Sequence, residues 1–136
     1  MAVDFGLQGQ VAIVTGSTSG IGHAMADALA AQGVNIVLNG LGEMTAIEKT
    51  RAELAEKHGV EVLYNGADMT KPGQIADMVA AAKAENCARA KSYMRTLDDG
   101  MRIARVNDKG EREILDDKAR AEESRRTREV IASDCK

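Results

Sequence analysis

The sequence predicts an α/β fold: a βαβαβ unit with three parallel strands in the order 3-2-1, followed by a helix–β-hairpin–helix appendage. Three observations carry this. Short apolar, β-branched runs alternate with helical patterns along the first 82 residues. The first run ends in a glycine-rich turn that opens directly on a helix. Right-handed crossovers between parallel strands then leave 3-2-1 as the order. The charge pattern marks where this unit stops. Residues 1–82 hold four Lys/Arg and nine Asp/Glu, whereas residues 83–136 hold fourteen and twelve. Residues 1–82 are therefore read as a nucleotide-binding half-domain, and residues 83–136 as a charged tail of unassigned role.

Val11-Ala12-Ile13-Val14-Thr15 is the first strand, and Gly16-Ser17-Thr18-Ser19-Gly20-Ile21-Gly22 is the turn after it. Gly16 lets the chain leave the strand sharply, Gly20 lets backbone approach a phosphate, and Gly22 lets helix and strand pack closely. The following helix, 20–32, is expected to bury Ile21, Met25, Ala28 and Leu29, with Gly33 beyond its end. Residues 34–39 form a second strand, apolar enough to be covered on both faces. A helix over 43–58 turns Ile47 and Leu54 inward and Glu48, Lys49, Glu53, Glu56 and Lys57 outward, and Gly59 ends it. The third strand is 60–64. The loop Asn65-Gly66-Ala67-Asp68 leaves it on the same edge as the glycine turn. A long helix starts near Gln74 with Ile75, Met78, Val79 and Ala82 inward, and runs on toward Leu97. Residues 101–106 and 111–115 read as a hairpin around Asn107-Asp108-Lys109-Gly110. Asp116 or Asp117 then caps a final helix to about Ser133, a solvated one laced by Glu122/Arg126 and Arg125/Glu129 pairs.

Composition narrows the function classes. With 2% aromatics and seven Met among 44% hydrophobic residues, the core is aliphatic with Met as filler. A net charge of −3 does not imply a nucleic-acid or membrane partner, and Arg alternating with acids without aromatics makes no case for specific nucleic-acid readout. No apolar run approaches a membrane span, and Met1-Ala2-Val3-Asp4-Phe5 does not look like a signal peptide, so the expected location is cytoplasmic. Cys87 and Cys135 are read as inert thiols of a reducing compartment. His23 and His58 are read as exposed helix residues, and neither a metal cluster nor a nucleophile–base pair can be assembled.

The spacing Thr-Gly-x-x-x-Gly-x-Gly, together with Ala30-Ala31-Gln32-Gly33, Ile36-Val37-Leu38-Asn39-Gly40 and Val62-Leu63-Tyr64-Asn65-Gly66-Ala67-Asp68, resembles the short-chain dehydrogenases/reductases. Within that family it looks like the bacterial D-3-hydroxybutyrate dehydrogenase group, over residues 7–82 and no further. The resemblance implies a Rossmann-like fold with NAD lying across the turn. Gly16, Gly20, Ile21 and Gly22 would line the pyrophosphate, and Ser17, Thr18 and Ser19 would add hydroxyl or backbone donors. Asp68 would accept from the adenine amino group, with the Met69 backbone beside it. Asn39, at the end of the second strand, would meet ribose hydroxyls. The first base after it is Lys49, so NAD is favoured over NADP.

The family's chemistry also needs a Tyr with a Lys four residues on, and a Ser that orients the carbonyl. Untuned, a phenol holds its proton near pH 10. Tyr64 is followed at that spacing by Asp68 and Tyr93 by Leu97, and the family's Asn-Asn-Ala-Gly segment is missing. The expectation is an NAD-binding half-site without a reaction centre, inactive alone, as in a truncated gene product joined to foreign sequence. Two alternatives stand beside it: a non-enzymatic interaction or regulatory protein, and a dehydrogenase that borrows groups from another chain. The first strand also needs cover on its free side, from residues 101–106 or, the favoured choice, from a second copy in a homodimer or other self-association.

Overall fold

The computed structural model describes residues 5–106 and 109–136. They divide into two compact units, one ending at Ala82 and the other beginning at Lys83.

The first unit holds β1 (Val11–Val14), α1 (Gly20–Ala31), β2 (Asn35–Asn39), α2 (Met44–His58) and β3 (Val62–Asn65). The helix α3 (Pro72–Asp98) begins in this unit and continues beyond its boundary. The strands are parallel in the order β1-β2-β3, with Val14 beside Leu38 and Leu38 beside Tyr64. Both crossovers are helical, as parallel pairing demands. One face of the sheet presents Ala12, Val14, Ile36, Leu38, Val62 and Tyr64, packed with Ala26 and Ala30 of α1 and Leu54 of α2. Ile36, Leu38, Val34 and Val62 are fully buried, each such side chain contributing about 1.5–3 kcal/mol. On the opposite face Val37 and Asn39 are buried, while Ile13 and Leu63 are half-buried.

The inward face of α1 differs from the expected one. Ile21 is 83% and Met25 55% exposed, whereas Ala26 and Ala30 are buried. Gly22, Ala26 and Ala30 recur at intervals of four and make a thin stripe, which lets α1 lie close on β1 and β2. Ile21 and Met25 sit to the side of that stripe, while Leu29 packs against the core as expected. α2 follows expectation, burying Ile47 and Leu54. It starts where the Glu43 carboxylate accepts from the N–H of Thr45 (3.0 Å) and Ala46 (2.9 Å), bonds that hold the acid below its ordinary pKa. It ends at Gly59, in the left-handed conformation at φ +64°. Neither histidine is fully exposed. The ring of His58 meets the Asp27 carboxylate at 2.9 Å, tying α2 to α1, and the Nδ1 of His23 is buried without a partner.

In the second unit β4 (Ala104–Val106) pairs antiparallel with β5 (Arg112–Ile114), placing Ala104 opposite Ile114. Part of the expected turn, Asn107 and Asp108, lies outside the described residues. β4 and β5 form a sheet of their own, so among the described residues the segment 101–106 does not pair with β1 as one expectation had it. The partly polar alternation of that segment suits a small solvated ribbon. α4 (Asp117–Asp134) is capped by Asp116, which accepts from the Ala119 N–H at 2.7 Å. Only Thr127 of α4 is buried, and Arg125 bridges Glu122 and Glu129 on its surface. Arg120 donates to the carbonyls of Leu97 and Met101. Cys87 and Cys135 are joined in a disulfide, which corrects the reading of two inert thiols. No helix among the described residues is long and apolar enough to cross a membrane.

Candidate functional site

Parallel strands end together, so the carboxyl ends of β1, β2 and β3 bring three loops side by side. The glycine turn is the tightest of them. Gly16 and Gly20 both stand at φ +62°, where an L side chain clashes with its own carbonyl. A Cβ on Gly22 would sit 2.2 Å from the Gly16 carbonyl oxygen, so α1 can begin beneath this turn only with glycine there. Ser19 caps α1 in extended backbone without a side-chain bond to the helix. Ser19, Gly20 and Ile21 are exposed. The first N–H groups of α1 have no acceptor within the helix and carry its positive end toward whatever lies above the turn.

Ser17 and Asn39 hold this turn in place from behind. Ser17 is completely buried. Its N–H donates to the Asn39 carbonyl at 2.7 Å, and its hydroxyl accepts from the Asn39 N–H at 3.1 Å. The side-chain amide of Asn39 donates to the carbonyls of Asn65 (3.0 Å) and Ala67 (2.9 Å). One buried residue thus ties the glycine turn to the loop after β3. The Asn39 amide hydrogens are committed inside the protein, which leaves its side-chain oxygen as the group of this residue that could meet the ribose. A polar residue ending an otherwise apolar, doubly covered strand was the signal for such a strut. Sequence reasoning also missed Tyr64, whose hydroxyl donates to the Gly40 carbonyl at 2.6 Å. Thr18 leans over Gly40 so closely that a Cβ there would lie 2.5 Å from its Oγ1.

Asp68 follows Ala67 directly. Its N–H donates to Gln74 Oε1 at 2.8 Å, and its carboxylate accepts from the Thr70 N–H (2.9 Å) and hydroxyl (2.7 Å). The bond from the Thr70 backbone does most to hold this carboxyl below its ordinary pKa, so it is an acceptor at neutral pH. Met69 is exposed beside it. Tyr93 belongs to the second unit, where burial and then Glu123 push its phenol up, the wrong direction for a proton donor near neutrality. Among the described residues no group of three His, Cys, Asp or Glu is placed to hold a metal ion.

A parallel half-sheet whose first strand turns through three glycines into a helix defines the class: a Rossmann-type nucleotide fold. Comparison with known proteins agrees and is more specific. The family described as short chain dehydrogenase matches residues 10–88, more than half of the sequence. The D-beta-hydroxybutyrate dehydrogenase of Cupriavidus necator is 50% identical over 80 residues, 58% of this chain and 30% of that protein. Its namesake in Rhizobium meliloti is 52% identical over 71 residues, 52% of this chain and 28% of that protein. Among solved structures, L-sorbose reductase from Gluconobacter frateurii, complexed with NADPH and L-sorbose, superposes with a TM-score of 0.56. It is 35% identical, over 60% of this chain and 31% of that one. NAD+-bound xylitol dehydrogenase gives 0.53 at 32% identity, over 59% and 30%. The chain belongs to the short chain dehydrogenase family. It spans less than a third of the length of these relatives.

Proposed function

We propose that the N-terminal unit binds a nicotinamide dinucleotide, NAD in preference to NADP, and that the chain alone does not complete a hydride transfer. The observation that carries this reading is the turn itself: Gly16 and Gly20 at φ +62° lead into the exposed start of α1, whose first N–H groups no side chain caps. In this reading the N–H groups of Gly20, Ile21 and Gly22 face the pyrophosphate, with Gly16 shaping the turn and Thr18 and Ser19 adding hydroxyls. Asp68 accepts from the adenine amino group beside the Met69 backbone. Exposed Leu41 follows β2, and the next base in sequence is Lys49, so nothing nearby in sequence clamps a 2′-phosphate. The missing piece is a proton donor. Tyr64 is bonded to a carbonyl, Tyr93 is pushed up, and neither has a lysine at the spacing its chemistry needs.

Calorimetric titration of NAD against the intact protein and its Gly20→Val variant tests the binding. Saturable binding weakened about tenfold or more in the variant is expected, since 1.4 kcal/mol is a factor of ten. Equal responses would remove the turn from the reading. Turnover of D-3-hydroxybutyrate with NAD by the purified chain would overturn the claim of inactivity.

A second reading, an association module, rests on β1. Its residues Val11 to Val14 are all apolar, and among the described residues it pairs with β2 alone. Asp27 faces α2 through Lys57 and His58. At 100° per residue, Met25 points to the opposite side of α1, away from α2, with Ile21 one turn below it. A second copy adding its own β1 would cover this edge, giving a homodimer. Sedimentation of the full chain should show the dimer, and Met25→Glu should dissociate it. A wild-type monomer at high concentration would refute the pairing.

A further inference from the structure

The disulfide joins Cys87, at the end of the family match over residues 10–88, to Cys135 well beyond it. Cys87 sits midway along α3, and Cys135 closes α4 as its C-cap residue, with Cα atoms 5.1 Å apart. Beside it, the Asn86 amide donates to the Asp134 carboxylate at 2.6 Å. The loop it closes holds the whole hairpin and all of α4. That loop has little else to hold it. Among the described residues the unit buries Ala90, Leu97, Leu115 and Thr127, and a unit of this size rarely builds a sufficient core without a staple. The first unit, by contrast, has its own core and contains no cysteine.

We propose that the Cys87–Cys135 bond is a redox-operated clasp that orders the C-terminal unit when closed and releases α4 when opened, leaving the nucleotide unit intact. Both cysteines are half-buried, so a thiolate can reach their sulfurs. The reductant is a dithiol. One of its thiolates attacks a sulfur of the bond, and the other cysteine leaves as thiolate and takes up a proton. The second thiol of the reductant then displaces the first cysteine from the mixed disulfide. Two electrons and two protons pass to the protein, giving two thiols and a cyclic disulfide of the reductant. An oxidised disulfide of the glutathione class reverses the exchange. Closing a loop with a 48-residue sequence separation shifts the ordering equilibrium by roughly a thousandfold on the chain-entropy account.

Hydrogen exchange of the full chain, read by mass spectrometry, tests this. The protein is prepared with oxidised glutathione, then reduced with dithiothreitol, then reoxidised. Reduction should accelerate exchange along α4 by up to about a thousandfold, leave β1, β2 and α1 unchanged, and be reversed on reoxidation. Cys135→Ser should resemble the reduced protein and ignore dithiothreitol. If that variant does not fold, in-place reduction of the wild type still decides. Two alkylatable thiols after oxidation, equal α4 exchange in both states, or loss of protection in β1 and β2 as well would each overturn the clasp.

Discussion

Replacing Gly22 with alanine gives the sharpest test of how the turn is built. The new methyl would lie 2.2 Å from the Gly16 oxygen, 2.7 Å from its carbonyl carbon and 3.0 Å from Ser17 Cα, all of them backbone atoms. No rotamer relieves this. Contact distances of about 3.5 Å require the turn and α1 to separate by roughly 1 Å. The movement stretches the 2.7 Å bond from Ser17 to Asn39. Overpacking of this kind costs about 1–3 kcal/mol, and backbone obstacles place Gly22→Ala toward the upper end. At about 4–8 °C per kcal/mol for a unit of this size, the midpoint should fall by roughly 10–20 °C. Gly73→Ala is the control. A Cβ there meets nothing within 4 Å, and its position in the first turn of α3 tolerates alanine, so its stability should hold or rise slightly. Thermal unfolding followed by circular dichroism, with exchange at the Ser17 and Asn39 amides, reads both. A Gly22→Ala protein that melts with the wild type would refute the close-approach argument. Equal losses in the two variants would refute it too, by showing that any glycine replacement destabilises.

Asn39→Leu keeps the size but strips two donors from the carbonyls of Asn65 and Ala67. Urea unfolding should show a loss of about 2–4 kcal/mol, and any NAD affinity should fall with it; an unchanged midpoint would dismiss the strut. Acid stability turns on Asp27, held down to about 2 by the hydrogen bond from His58 and then that from Lys57, against an ordinary 3.8. Its native form stays ionised where the unfolded chain takes up a proton, so it contributes stability above about pH 4 that disappears as pH falls toward 2. Melting curves across that window should be steeper in pH for the wild type than for Asp27→Asn. Parallel curves would count against the Asp27–His58–Lys57 cluster.

The three strands, their helices and the glycine turn were legible in the sequence because each follows from local rules. β-branched runs extend, Gly16 and Gly20 take the left-handed turn, and Gly59 ends a helix. Asp68 and Met69 stand in the loop after β3, where the sequence puts them, because they follow a strand at a set spacing. The inward face of α1 was misread because periodicity weighs large apolar side chains, whereas close approach to the sheet selects small ones: Gly22, Ala26 and Ala30 face in, Ile21 and Met25 out. Asn39 illustrates the deeper difference. Its type and position suggest a ligand; that it also ties two loops together shows only in the fold, because its partners Ser17, Asn65 and Ala67 lie 22 to 28 residues away and meet it only after the strands align. The same holds for Cys87 with Cys135 and for Asp27 with His58. Sequence by itself determined the half-sheet and the turn that could cradle a phosphate. Tertiary structure decided which polar groups remain to meet a ligand, because a buried donor or acceptor must find its partner inside the fold, however far along the chain that partner lies.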